Sequence, residues 1–415
     1  MEIRLGLKEN WQQFSLLVLV NMLVGGMVGL ERTVVPLVGT EEFKIGSDIV
    51  IFSFIIAFGI VKAFTNLVSG VLADLYTRKR ILVAGWLVGL PVPFLLAWGP
   101  SWNWIVAANV LLGISQGLAW SMTVNMKIDL VGPQRRGLAM GLNEAAGYGA
   151  VGLTALLTGY LASIYGLRPQ PFYIGIAYTL TGLLLSVWVI KDTRPYTLLE
   201  SQQSPGNGNA VPSKKTSLLS VFKEVSIGNK NLFAISQAGL INNLNDGMSW
   251  GVFPILFMSA GVGLEGVGWI KAVYPMVWGV GQIATGPLAD KIGRKPLIVL
   301  GMIVQAIGHL VIGIGQLPAL ISGLSGSVLL GIGTAMVYPA LLAAVGDASA
   351  PEWRASALGV YRFWRDIGYA VGALMAGVVA AWLGIIWAVH FAGLMTLGSG
   401  VLVWVMMKES RAVRN

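Results

Sequence analysis

The sequence predicts an all-α, polytopic membrane protein with twelve transmembrane helices in two pseudo-symmetric six-helix bundles. Three observations predict it. The chain is 55% hydrophobic and only 11% charged over 415 residues, whereas soluble domains carry about a quarter charged residues. Apolar stretches recur from Phe14 to Met407, many longer than the roughly 18 residues that cross a bilayer core of about 30 Å. The second half also repeats the first at an offset near 218 residues.

The first helix is expected over 14–36. It follows the polar start MEIRLGLKENWQQ with no small-residue cleavage site, so it reads as a retained span rather than a signal peptide. Five more helices are expected at 48–73, 80–98, 103–126, 136–163 and 170–190. A linker over 191–229 follows, and its centre, SQQSPGNGNAVPSKK, is polar and rich in Gly and Pro. Behind it, SLLSVFKEVSIG suits a short amphipathic helix at the membrane surface. The second six helices are expected at 230–257, 266–289, 297–315, 320–345, 354–382 and 385–407. The domains are accordingly 1–190, 191–229 and 230–415.

Charge sets the orientation. With both ends in the cytoplasm, that side carries Arg4, Lys8, Arg78, Lys79, Arg80, Arg135, Arg136, Lys191, Arg194, Lys214, Lys215, Lys223, Lys291, Arg294, Lys295, Lys408, Arg411 and Arg414. The other side carries little beyond Lys44 and Arg168. This is the positive-inside pattern. It places the chain in a cell inner (plasma) membrane and explains a net charge of +9 without nucleic acid. Cysteine is absent, and His309 and His390 fall in peripheral helices, so no soft-metal site is expected. GNGNAVPSKKTS lacks the spacing and context of a phosphate loop. No nucleophile–base set converges, so an enzyme is not expected.

The internal repeat is explicit. VLLGI at 110–114 returns at 328–332, and Pro36 matches Pro254. Asp129, Pro133, Arg136 and Gly141 match Asp347, Pro351, Arg354 and Gly359, while Gly159 and Gly166 match Gly377 and Gly384. GVLADLYTRKR at 70–80 matches GPLADKIGRKP at 286–296 with a two-residue slip. Two parallel six-helix repeats suggest alternating access between two bundles.

Those two loops share the form G-x-x-x-D-x-x-x-R-K, at Gly70, Asp74, Arg78 and Lys79 and again at Gly286, Asp290, Arg294 and Lys295. The loop, present twice, resembles the signature of the major facilitator superfamily, and the resemblance covers the whole chain. It implies a cytoplasmic latch whose Asp pairs with an Arg and a helix end across the gap between bundles. Asp129 and Arg136, with Asp347 and Arg354, resemble the companion charges of that network. The residues alone also fit a basic topogenic loop with incidental acids. The resemblance to drug/metabolite–proton antiporters is partial. Gly113 stands where many of them carry Arg, and GLNEAAGYGAVGLTALLTG lacks their Gly-Pro.

Ionisable side chains at helix depth are costly and normally face a bundle interior or a wet path. On the family plan, helices 1, 2, 4, 5, 7, 8, 10 and 11 line the cavity, and the interior charges obey that division. Glu31, Glu144 and Asp246 are candidate proton carriers. Glu31 and Arg32 equally suit a fixed structural pair between helices. Arg32, Lys62, Asn242, Asn245, Lys271, Arg362, Arg365 and Asp366 are candidate substrate contacts. Lys62 lies mid-span, placed to attract an anion or hold a carboxylate. Asn242, Asn245 and Asp246 share a helical face, suited to solute or to interhelical contact. Arg362 and Asp366 are spaced to pair. The repeat register also sets Arg362 against Glu144, predicting a bridge across the cavity floor, with interfacial packing of Arg362 as the alternative. Trp120, Tyr148, Trp250, Tyr361, Trp364 and Tyr369 add aromatic surface.

The expected function is secondary active transport by alternating access. The first reading is efflux of a small organic solute or drug, driven by the proton gradient, with no other cofactor. The alternative is an uptake carrier or facilitator for an organic anion, sugar or amino acid. A receptor or scaffold on a carrier fold is a third reading. The expected partners are the substrate and the lipid bilayer, with the chain a monomer.

Overall fold

The computed structural model of the protein describes residues 4–131, 136–203, 218–314, 317–349 and 353–409. Among the described residues the regular secondary structure is helical, without strands. Twelve long helices order the chain. The first six are α1 (Trp11–Gly29), α2 (Asp48–Leu75), α3 (Arg78–Trp98), α4 (Trp102–Val131), α5 (Arg136–Tyr165) and α6 (Gln170–Val189). The second six are α7 (Lys230–Ser259), α8 (Leu264–Ile292), α9 (Arg294–Gly313), α10 (Ala319–Ala348), α11 (Arg354–Leu383) and α12 (Ile385–Met406). Ten are long and apolar enough to cross a membrane. The remaining two, α7 and α8, are as long, but the polar run at 242–246 and the charges of α8 dilute their apolarity. With twelve alternating spans, α1 begins and α12 ends on one face, the terminal face. The other is the distal face.

Matched glycines close matched helices. Gly166 ends α5 and Gly384 ends α11, with φ of +89° and +98°, the left-handed region that glycine enters cheaply. The two halves meet along α5–α8 and α2–α11. In the distal half the α5–α8 seam is tight. A Cβ on Gly152 would stand 2.6 Å from the Ala272 carbonyl oxygen, and one on Gly159 would stand 3.0 Å from the Gly268 Cα.

Two departures from the expected spans have physical causes. The continuous helix expected over 14–36 breaks at residues 30–34 into turns. There the amides of Glu31 and Arg32 reach back only three residues, to the Val28 and Gly29 oxygens at 3.4 and 3.3 Å. Pro36 has no N–H, so the Arg32 carbonyl loses its helical donor. In the linker, a helix at Leu218–Lys223 forms as expected. However, it buries Val221, packs Phe222 against Phe363 and Trp364, and so covers α11 rather than lipid.

Candidate functional site

The break in α1 positions Glu31 and Arg32 outside regular helical spacing. Arg32 donates through both terminal nitrogens to the carboxylate of Asp246 in α7, one contact being 2.9 Å. Its guanidinium also lies 4.4 Å from the ring centroid of Trp250, its own counterpart at the 218-residue offset. The contact therefore falls near the pseudo-symmetry axis. Both ionic partners are buried, so the paired geometry must offset a large desolvation cost. Glu31 is fully buried, and neither carboxylate oxygen has a hydrogen-bond partner. Asn109 of α4 faces it, but the Asn109 Nδ2 donates to the Ile105 oxygen at 3.0 Å, and its Oδ1 is also unpartnered. Within ordinary hydrogen-bond geometry the Glu31 oxygens and Asn109 Oδ1 are thus left without a partner, which buried polar groups rarely tolerate.

Below this pair, in the terminal half, lies a cavity bounded by α2, α4, α5, α10 and α11. The repeat builds its wall: Trp120 and Tyr338, Val124 and Leu342, and Glu144 and Arg362 all line it and are all equivalent at the 218-residue offset. Lys62 enters from α2, with its ammonium 5.3, 5.8 and 5.1 Å from the ring centroids of Phe58, Trp120 and Tyr369. Tyr148 also lines the cavity and stacks on Trp278 at 3.5 Å, joining α5 to α8.

A polar chain ties four helices together around the cavity. The Ser121 hydroxyl donates to Asn66 Oδ1 at 2.9 Å, and the Asn66 amide donates to Asp366. The other Asp366 oxygen accepts from Arg365 Nε at 2.8 Å, and Arg365 donates to the Tyr338 hydroxyl at 2.5 Å. Glu144 Oε1 accepts from Asn143 Nδ2 at 2.9 Å and Trp120 Nε1 at 3.3 Å, while its Oε2 is buried without a partner.

Several expected roles are redistributed. Glu144 and Arg362 line one cavity but form no ion pair. The Glu144 carboxylate is held by its neighbours in α4 and α5, and Arg362 is half-buried. Asp366 pairs with adjacent Arg365 rather than with Arg362, because Asn66 draws it toward α2. Asn242 and Asn245 do not line this cavity. Gln305 of α9 bridges them, donating to Asn242 Oδ1 at 3.1 Å and accepting from Asn245 Nδ2 at 2.9 Å, and Thr396 of α12 donates to Asn245. They make the interhelical alternative. Asp246 and Arg32 neutralise each other. Lys271 is tied to α7, donating to the Ser249 carbonyl oxygen at 2.8 Å. Lys62, Arg362, Arg365 and Glu144 are the expected site residues that the cavity gathers. Asn66, Ser121 and Tyr338 were missed, as was buried Lys127, which donates to the Leu17 oxygen at 3.2 Å. The repeat register alone would have found Tyr338 as the partner of Trp120.

At the terminal face, both copies of the loop place their Arg alike. Arg78 Nε donates to Asp129 at 3.0 Å, and Arg294 Nε donates to Asp347 at 3.4 Å. Each contact stays within its own half. Thr193 also donates to Asp129 at 2.6 Å, and Glu409 accepts from the amides of Arg294 and Lys295. Lys79 and Gly286 belong to the same loops. Gly70 lies in α2, and the side chains of Asp74, Arg136, Asp290 and Arg354 are not among those described.

Comparison with known proteins agrees with this geometry. A family profile described as Major Facilitator Superfamily matches residues 15–241 and 235–415. The chain is 26% identical to "Multidrug resistance protein 2" of Bacillus subtilis, over 39% of this chain and 45% of that protein. It is 23% identical to a "Probable 4-methylmuconolactone transporter" of Cupriavidus pinatubonensis, over 83% of this chain and 78% of that one. It is also 23% identical to "Multi-drug resistance efflux pump PmrA" of Streptococcus pneumoniae, over 88% of each.

Proposed function

The chain belongs to the Major Facilitator Superfamily, and from that premise we propose a secondary active transporter that exports a small organic solute in exchange for protons. One observation carries the coupling: fully buried Glu31, with both oxygens unpartnered, adjoins the Arg32 that pairs across the halves with Asp246. Opening the distal face separates α1 from α7 and breaks that pair. The released guanidinium then needs a new anion, and Glu31 is the next residue along an irregular turn.

On this reading Glu31 carries a proton while the distal face is closed, and its O–H fills the unpartnered Oδ1 of Asn109. Loss of the proton to the terminal side frees the carboxylate to take Arg32 from Asp246, and the distal face opens. A proton arriving from the distal side returns Arg32 to Asp246 and closes it. Protons thus enter as solute leaves. The moving bodies are 1–190 and 230–415, and the chain works as a monomer. The basic loops place the terminal face in the cytoplasm and the protein in a cell inner membrane. Two relatives whose names describe multidrug resistance or efflux support export.

Cations Lys62 and Arg362 in the cavity favour a second reading, an uptake carrier for an organic anion. The sign of coupling separates the two. Proteoliposomes under an imposed pH gradient, tested with a solute panel while internal pH is recorded, should show solute moving against the proton flow. Solute moving with the protons favours uptake, and no pH-driven movement of any solute contradicts both.

A further inference from the structure

The two relatives named for drug resistance leave the solute's charge open, and the cavity's unmatched cations address it. Among the described residues, Lys62 has no hydrogen-bond acceptor and no carboxylate within ion-pair distance, although its side chain is only 8% exposed. An ammonium carries three donors. Here it meets only ring faces, those of Phe58, Trp120 and Tyr369. Ring faces steady a cation less than an ionised partner does, and they leave its donors unfilled.

The carboxylates beside the cavity are held by other donors, Glu144 through one oxygen only. Asp366 is taken by Arg365 and Asn66. Glu144 is held by Asn143 and Trp120, with the Lys127 charge acting on it from the side of α4. Arg362 also lines the cavity and, among the described residues, makes no ion pair either. Counting Lys62, Arg362 and Arg365 against Glu144 and Asp366, the cavity lining and its paired wall carry an excess of one positive charge. A cationic solute would enter against that excess. An anion would fill the donors of Lys62. The walls beside Lys62 are the flat faces of Trp120, Tyr148 and Tyr338, with Tyr148 backed by Trp278, suited to a planar apolar ring.

We propose that the cavity binds a planar aromatic carboxylate, with the carboxylate on Lys62, assisted by Arg362, and the ring among Trp120, Tyr148 and Tyr338. This rests on reading the cavity as the transport site but stands apart from the direction of transport and from proton coupling.

The test uses the full chain in lipid nanodiscs and three shape-matched probes of different charge: phenylacetate, phenylacetamide and phenethylamine. Calorimetric titration should show phenylacetate binding at least about tenfold more tightly than the other two. Lys62→Met should remove that preference and Lys62→Arg should keep it, with melting temperature confirming that both variants fold. Arg362→Gln should weaken phenylacetate severalfold. Should Lys62→Met fail to fold, Lys62→Arg and Arg362→Gln carry the same comparison. Phenethylamine or phenylacetamide binding as tightly as phenylacetate overturns the proposal, as does binding of none of the three or a preference that survives Lys62→Met. Phenylacetate binding without pH-driven flux contradicts the transport reading and leaves this proposal standing. Flux of a cationic solute does the reverse.

Discussion

The ion pair of Arg32 with Asp246 is the only described salt bridge joining the α1 break to the second half. Removing one member leaves the other charge buried, which typically costs about 3–5 kcal/mol. Arg32→Gln and Asp246→Asn should each lower the melting temperature and cut transport at least tenfold. The exchanged pair Arg32→Asp with Asp246→Arg should recover most of the stability. If the exchanged pair is no better than the singles, the two side chains are not each other's main partners. Glu31→Gln is predicted to behave differently. Its amide can donate to Asn109 Oδ1 as a protonated carboxyl would, so melting should shift little. Flux should lose its dependence on the pH gradient, whereas undiminished pH-driven flux removes Glu31 from the coupling. The charges were legible in the sequence because ionised residues are conspicuous in apolar helices. Their partners were not. Asn242, Asn245 and Asp246 share a spacing, yet the first two turn to Gln305 and the third to Arg32. Spacing fixes which residues share a face but not which neighbour covers it.

Among the elements, the repeat carried the most information. It predicted that Glu144 and Arg362 occupy equivalent places, and that pair does line one cavity. It did not predict a gap between Glu144 and Arg362, because pseudo-symmetry relates positions and not side-chain directions. The break in α1 was also illegible. Pro36 marked a disturbance, but proline is common within the other long helices, as Pro254, Pro275 and Pro339 show. Only the lost helical bonds around Glu31 and Arg32 locate the break. The α5–α8 seam yields a prediction at this scale. Gly152→Leu places a branched side chain where even a Cβ would stand 2.6 Å from the Ala272 carbonyl oxygen. Closure of the distal face should be hindered, the cavity should be exposed to the distal side for more of the time, and transport should fall at least tenfold. Reagent access to single cysteines placed in the cavity from the distal side would record it, and unchanged access would show that this seam does not control closure.

At the scale of the molecule, the twelve long helices and the two-fold repeat were readable because each rests on a pattern summed over many residues. The present arrangement holds the halves together in the distal half, through Arg32–Asp246 and the glycine-lined seam, with the cavity in the terminal half. Alternating access requires the reverse arrangement as well. The chain contains no cysteine, so paired spin labels can be introduced without removing native thiols. One pair at Ser101 and Leu317 reports the distal face, and another at Lys191 and Lys408 reports the terminal face; all four residues are exposed. The most direct measurement is the distance distribution of both pairs across a pH titration in nanodiscs, with and without Glu31→Gln. The account predicts that raising the pH lengthens Ser101–Leu317 while shortening Lys191–Lys408, and that Glu31→Gln holds both at their low-pH values. Distances that do not change with pH, that lengthen together, or that respond equally in Glu31→Gln would contradict it.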